Sequence, residues 1–451
     1  MQQGISGLPL ITSLFQHNKL CLALILFTLL LTLFKCCNAE TLPQLLLIAR
    51  QNDNQYKASK HQYNAALARL DQAKSTFYPT FNFTANDNMN DQEIKFIGTS
   101  TQTRNQKFNT YGYSFQINQP IYKRINIVNL DQSEAQVAQA QAQITQAEVD
   151  LVNRLAQAFY ESIQAASNLA FAHSQRELAQ AQSEALNHKF EQESATIHEK
   201  YEANAKLNIS IAQELDASIE LNNKLYALNQ ITGLNLTATN LSLEEVNLVK
   251  KLQPIDFWLE LGKTENPTVL VQQSTRAIAK LEIDKAKSGH YPSLDLVANY
   301  GENRQGPTAA FASETVVTSG SIGIQMNIPI YAGGMVNAKT NEAVSLLEKA
   351  EEDIESAKKQ ALMSVYQAHS TIISNQAQLS AYQELADTYK ESLLATIKAV
   401  QIGTKTPVDE LTARQQLTSI QRDAIKAETN LLLSYIRLRS AVGYLDLNQK
   451  K

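Results

Sequence analysis

At 451 residues and a formal net charge of −4, the chain is long enough for two or three domains with sizeable cores and has no basic surface to suit nucleic acid. Only 15 glycines and 10 prolines interrupt it, which argues against many short elements and for long unbroken ones. Its 7 histidines show no metal-ligand spacing and no Ser/His/Asp set has a nucleophile-like setting, so no enzyme activity, cofactor or metal is expected.

Residues 1–39 read as an export signal. Lys19 precedes an apolar run, "LCLALILFTLLLTLF", that is shorter than the ~18 residues of a spanning helix, and small residues then lead to Ala39. Cleavage before Glu40 is the expectation. An uncleaved anchor and a lipid-modified Cys36 are the alternatives; Lys35 is untypical for the signal, and Phe34 and Lys35 are bulky for the lipid reading. Cys21, Cys36 and Cys37 all lie here, so the mature chain has no thiol or disulfide chemistry.

After the signal the chain is written twice, as 40–234 and 255–445, joined by 235–254 and followed by a short tail, 446–451. "FYPTFNFTANDN" resembles "HYPSLDLVANYG", "NQPIY" resembles "NIPIY", and "LNQITGL" resembles "LRSAVGYL". The offsets agree: 292 − 79 = 213, 329 − 120 = 209 and 443 − 233 = 210. A repeat this long exceeds the ~20–50 residues of a solenoid unit, so two similar halves are expected.

Each half opens with a helix, 41–77 or 255–289. Two strands follow, 80–88 and 111–119 in the first half and 293–300 and 318–327 in the second. Phe81, Phe83 and Ala85 alternate with polar residues, as do Tyr113, Phe115 and Ile117, Leu294, Leu296 and Ala298, and Ile322, Ile324 and Met326. Alternation at period two gives one apolar and one polar face. The length approaches the ~9–11 residues of a tilted bilayer-spanning strand, with lipid on one face and water on the other. Tyrosine and proline mark the same end of all four strands: Tyr78 and Pro79, Pro120 and Tyr122, Tyr291 and Pro292, Pro329 and Tyr331. Tyrosine suits a membrane–water interface and proline ends a ladder. Gly333 and Gly334 then permit the turn into a helix. A soluble sandwich with proline-terminated strands is the alternative. If the strands span a membrane, four cannot close a barrel, and several chains must share one.

Each strand pair runs into a rod, 124–190 or 335–401, free of proline and glycine. Some 65 residues at ~1.5 Å each make about 100 Å. In the first rod Leu130, Val137, Ile144, Leu151 and Ala158 recur every seven, and so do Val128, Ala135, Ala142, Val149, Ala156 and Ile163. Two heptad series five residues apart lie roughly 140° apart around a helix, which suits a helix packed on both sides within a ring. The second rod keeps one seam clearly (Ala343, Leu347, Ala350, Ile354, Ala357, Ala361 and Ala368) and the other weakly. Shorter helices, 196–232 and 406–442, return along the rods.

The duplicated strand–helix plan, the junction "PIYAGGMVNAK" and the tip "GTKTPVDELTARQQL" resemble the TolC family of outer membrane efflux proteins over essentially the whole mature chain. The resemblance implies an α+β membrane protein: a trimeric twelve-stranded outer membrane β-barrel, four strands per chain, continuous with a long periplasmic α-helical coiled-coil barrel. It implies a homotrimer in outer membrane lipid that docks a periplasmic adaptor protein and an inner membrane pump of RND or ABC type. The duct then passively conducts drugs, toxic compounds or secreted proteins. A trimeric coiled-coil adhesin or spacer is the competing class, and it leaves the tyrosine–proline junctions without a purpose.

At the tip, Gly403 can end the rod, Thr406 can cap the next helix, and Asp409 stands three residues after the cap. By resemblance, Asp409 narrows the periplasmic entrance, with Glu410 nearby and Thr412 where the family often has a second acid. Lys405 matches a basic residue that ties the entrance shut, and Glu199 matches an acid on the other tip. Glu193 replaces a common glycine, and Val400 stands where some members carry a tyrosine of the closed state.

Overall fold

A computed structural model of the chain describes residues 41–97, 102–238, 241, 252–308 and 313–444. The expected signal with its cysteines, most of 235–254 and the tail 446–451 lie outside the described residues.

The order is α1 (Leu42–Asn52), α2 (Asn54–Ser75), β1 (Thr80–Phe96), β2 (Gln102–Lys123), α3 (Arg124–Glu191), α4 (Ile197–Thr232), α5 (Ile255–Thr264), α6 (Pro267–Lys287), β3 (Ser293–Gln305), β4 (Thr315–Asn327), α7 (Met335–Gln401) and α8 (Pro407–Ala441). The rods α3 and α7 match the expected bounds closely. The opening helix of each half is broken, against expectation. Asp53 ends α1 and caps α2 by accepting from the Tyr56 amide, and Asn266 caps α6 by accepting from the Thr268 and Val269 amides, ahead of Pro267. Side chains that bond the backbone compete with the helical ladder, and a residue before proline avoids helical angles.

The strands form one antiparallel sheet in the order β1-β2-β3-β4. Its register sets Phe83 beside Phe115, Phe115 beside Tyr300, and Leu296 beside Ile324, so the four apolar alternations fall on one face. The other face carries Asn82, Gln116, Asn299 and Ser321. All four strands are longer than the alternation indicates, with β3 and β4 at 13 residues each and the first hairpin extended furthest. β1 has 17 residues and β2 has 22, because the hairpin goes on pairing where polar residues predominate on both faces and the period-two signal is gone. Pro120 does not end its strand. The register shifts between Pro120 and Tyr122, and the ladder resumes to Lys123; a bulge accommodates the missing donor. β4, by contrast, stops at Asn327, two residues before Pro329.

The helices form arcs. Near the sheet, α3 packs between α2 and α6, and α6 packs on α7. Farther down, α3 packs between α4 and α8, and α8 packs on α7. Polar ties mark these levels: Gln139 donates to Thr275 (2.8 Å) above, and Gln164 donates to Thr429 (2.6 Å) below. Both heptad faces of α3 are thereby engaged, with Val128, Val149 and Ala156 buried from one series and Leu151 and Ala158 from the other. The largest core lies midway, where α1 sets Leu45 and Ala49 against Leu151, Leu155 and Phe159 of α3 and Leu432 and Ile436 of α8. A second core joins Trp258 of α5 to Val365, Ile372 and Leu379 of α7 and Leu431 and Leu438 of α8. Each fully buried leucine contributes roughly 1.5–3 kcal/mol.

Arg154 of α3 donates to both Asp53 carboxylate oxygens, each at 3.0 Å, and so locks the α1–α2 break onto the rod. Burial opposes the Asp53 charge, but the hydrogen bonds from Arg154 and Tyr56 prevail and hold its pKa below the ordinary value. The Asp53 side chain is 6% exposed. Asp53→Ala strands Arg154 and uncaps α2, so it is expected to cost roughly 3 kcal/mol, read as an earlier denaturant midpoint.

Candidate functional site

Two places combine the residues singled out in the sequence. The first is the junction between sheet and rods. Thr80 pairs with Asn118 and Ser293 pairs with Asn327, so Tyr78 and Pro79, Pro120 and Tyr122, Tyr291 and Pro292, and Pro329 and Tyr331 all gather at one end of the sheet. All four tyrosines are exposed. The turn from β4 to α7 uses left-handed backbone at Gly333 (φ 61°) and Gly334 (φ 81°), a region that costs a side-chain-bearing residue energy. The first junction has no such turn, since β2 passes into α3 without a break.

Lys123, the last residue of β2, forms an ion pair with Asp295 of β3 (2.8 Å). Nothing local in the sequence signals this pair; its partners lie in different halves and meet only through the sheet register.

The second place is the tip, where two helical hairpins end. In one, Thr406 caps α8. Asp409 Oδ2 accepts the Thr406 amide and hydroxyl, both at 2.8 Å, and the Asp409 amide donates back to Thr406 Oγ1. In the other, Thr196 caps α4 and Glu199 Oε2 accepts the Thr196 amide (2.7 Å) and hydroxyl (2.8 Å). The two boxes stand 210 positions apart (406 − 196) and are alike in geometry.

Other residues at the tip bond locally. Glu410 pairs with Arg414 at 3.1 Å, the Thr412 hydroxyl donates to the Val408 carbonyl of its own helix, and Lys405 approaches Thr396 at 3.5 Å. Val400 is half-buried. Within one chain, therefore, Lys405 and Glu199 are not brought together; each bonds inside its own hairpin.

The turns above the caps differ. Gly403 ends α7 with φ 83°, and the equivalent Glu193 (403 − 210) has φ 55°. Glu193 is the one non-glycine residue with positive φ among the described residues.

Asp409 and Glu199 both have pKa values below the ordinary carboxylate value. The largest cause is the backbone hydrogen bond from the cap threonine, followed by its hydroxyl; Lys405 helps at Asp409. A depressed folded-state pKa means the cap contributes fully above the unfolded value and is lost as pH falls through the folded one. Amide protection at 196–199 and 406–409 is thus expected to stay level between about pH 8 and 5 and to fall below about pH 4. At the strained turn, Glu193→Gly is expected to stabilise the hairpin by about 1 kcal/mol, measured as increased amide protection beside it.

Comparison with known proteins matches the chain to the family model "Outer membrane efflux protein" over residues 45–234 and 258–444. The chain is 28% identical over 418 residues to outer membrane protein TolC of Vibrio cholerae serotype O1, covering 92% of this chain and 93% of that one. It is 24% identical over 407 residues to alkaline protease secretion protein AprF of Pseudomonas aeruginosa, covering 88% and 83%. Among solved structures, the Campylobacter jejuni CmeC outer membrane channel shares the fold with a TM-score of 0.72 and 19% identity, covering 90% of this chain and 86% of that one.

Proposed function

The chain belongs to the outer membrane efflux protein family, and we propose that three copies form an exit duct through the outer membrane and the periplasm. The carrying observation is that every layer of the chain stops at an open edge. The sheet ends at β1 and β4, the upper arc at α2 and α7, and the lower arc at α4 and α7. Strand edges left unpaired in lipid cost several kcal/mol per group, so copies must join edge to edge. Two copies give eight strands, a barrel whose interior side chains fill. Three give twelve and leave a passage, as the resemblance implies.

The helical flanks support the same closure. Ile197, Tyr201, Leu215, Ile219 and Tyr226 of α4 lie exposed on one face of the helix, 4, 14, 4 and 7 residues apart, away from the seam of Ala203, Ser210 and Ala217 that meets α3. Met363, Tyr366 and Ile373 of α7 form an exposed stripe on the opposite end of the arc. The α4 stripe of one copy packs on the α7 stripe of the next.

In such a ring three Asp409 residues face the entrance. Each carboxylate already gives Oδ2 to Thr406, which fixes its direction and leaves Oδ1 for a cation. Energy comes from elsewhere: a periplasmic adaptor and an inner membrane pump deliver the cargo, and the duct conducts it passively. The cargo class is set by that pump. Relatives named for protease secretion and for efflux make proteins and small toxic compounds the two candidates.

Purified protein in planar bilayers is expected to open discrete, cation-preferring channels, and a deletion strain to accumulate a fluorescent efflux dye or to lose a secreted protein. Absence of channels from correctly folded trimers would falsify the duct. Asp409→Asn keeps an acceptor for the cap and removes the charge, so cation preference should fall by about twofold or more with folding intact. Leu215→Asp combined with Ile219→Asp is expected to leave the monomer helical and abolish the trimer, read by light scattering.

A further inference from the structure

The polar face of the sheet contains almost no charge. Where all four strands pair, it presents Asn, Gln, Ser, Thr and Gly side chains with a few valines; Asn82, Thr84, Gln116, Ser114, Asn299 and Ser321 are typical. Among the described residues of the sheet, the ionisable side chains on that face are Asp295 and Lys123, just past the junction end of the four-stranded region, and Arg104, at the far end of the β1–β2 hairpin. Lys123 and Asp295 form a 2.8 Å ion pair, with the lysine 28% and the aspartate 15% exposed. Charges of both signs sit instead on the opposite face, at its far end, where Glu302 pairs with Arg304 and Lys107 with Asp91. Sequence alternation puts Asp295 on the polar face, since Leu294 and Leu296 flank it on the apolar one.

We propose that the Lys123–Asp295 pair keeps the membrane section of the duct electrically neutral, and that these two residues determine how that section treats the sign of a passing ion or cargo. The inference rests on the duct reading, in which the polar face lines the lumen. Three pairs stand in a ring at the mouth where barrel meets helices. While paired, each lysine and aspartate cancel beyond a few ångströms, and carboxamides and hydroxyls solvate cargo of either sign. If one partner is removed, three like charges are left at a single level of the lumen, and the four-stranded wall beside them holds no compensating group among its described residues. A cargo of any charge that clears the acidic entrance thus meets no second electrostatic barrier. That suits a duct fed by pumps whose substrates differ in charge.

The test is the reversal potential of single channels under a potassium chloride gradient, with the tip as in the natural chain and again with Asp409→Ala so that the entrance does not dominate. Asp295→Asn exposes three lysines and is expected to shift permeability toward chloride by about twofold or more at ~0.01 M salt, where the screening length is ~30 Å. Lys123→Met exposes three aspartates and is expected to shift it toward potassium by a similar factor. The shifts should vanish near ~1 M salt, where screening acts within ~3 Å. Combining Lys123→Met with Asp295→Asn should restore the original ratio. A purely structural role for the pair predicts lower stability in both single variants and the same direction of any selectivity change. Equal-signed shifts, or no shift in either background from variants that assemble as trimers, overturn the proposal. If one variant fails to assemble, the sign of the other and the swap Lys123→Asp with Asp295→Lys, which should keep neutrality, decide it. Failure of the natural chain to form channels at all sinks the duct reading, and this inference with it.

Discussion

The backbone edges of β1 and β4 govern the rest of the molecule. In water an open four-stranded sheet is tolerable; in hydrocarbon each free amide and carbonyl is a penalty of several kcal/mol. The penalty is removed only by another copy, so the monomer is a slice of a larger object. Chain connectivity then extends the same slice downward. α2 leads into β1, and β4 leads into α7, so the flank that ends in a bare strand edge above also ends in a bare helix face below. One subunit boundary therefore runs the length of the molecule, and satisfying the strands in lipid also brings the apolar helix stripes together.

Curvature arises from the same patterning in both materials. In the sheet, cross-strand register collects four separate alternations into one lipid-compatible face and one amide-lined face. In the helices, two heptad seams about 140° apart make α3 a voussoir with contacts on both flanks. α3 has both seams occupied within its own chain, whereas α7 has one occupied and one free.

At the tip, structure and charge share one atom group. Asp409 and Glu199 each complete a capping box, and that duty lowers their pKa and aims their free oxygens. In the proposed trimer the same cap bonds would fix the direction of each carboxylate at the entrance. The two hairpins are not equally relaxed, however. One turns through Gly403, the other through Glu193 in left-handed backbone, which places more strain on the first half's tip.

The local rules of the sequence determined the element types and the rod ends. Freedom from proline and glycine made the rods continuous, period-two alternation located the strand cores, and Thr-Pro-Val-Asp announced the α8 cap. They did not determine strand length, because pairing continues from Asn88 to Phe96 on partner hydrogen bonds after the hydrophobic pattern has ended. Nor did they reveal that Asp53 breaks the first helix or that Pro120 lies within a strand. Arg154 stands 101 positions from Asp53, and the bulge that absorbs Pro120 is defined by a strand from the other half. The Lys123–Asp295 pair belongs to the same class. Neighbours along the chain fix periodicity, capping and turn chemistry; charge pairing and register depend on groups that only folding brings within a few ångströms, and these were decided by the tertiary structure alone.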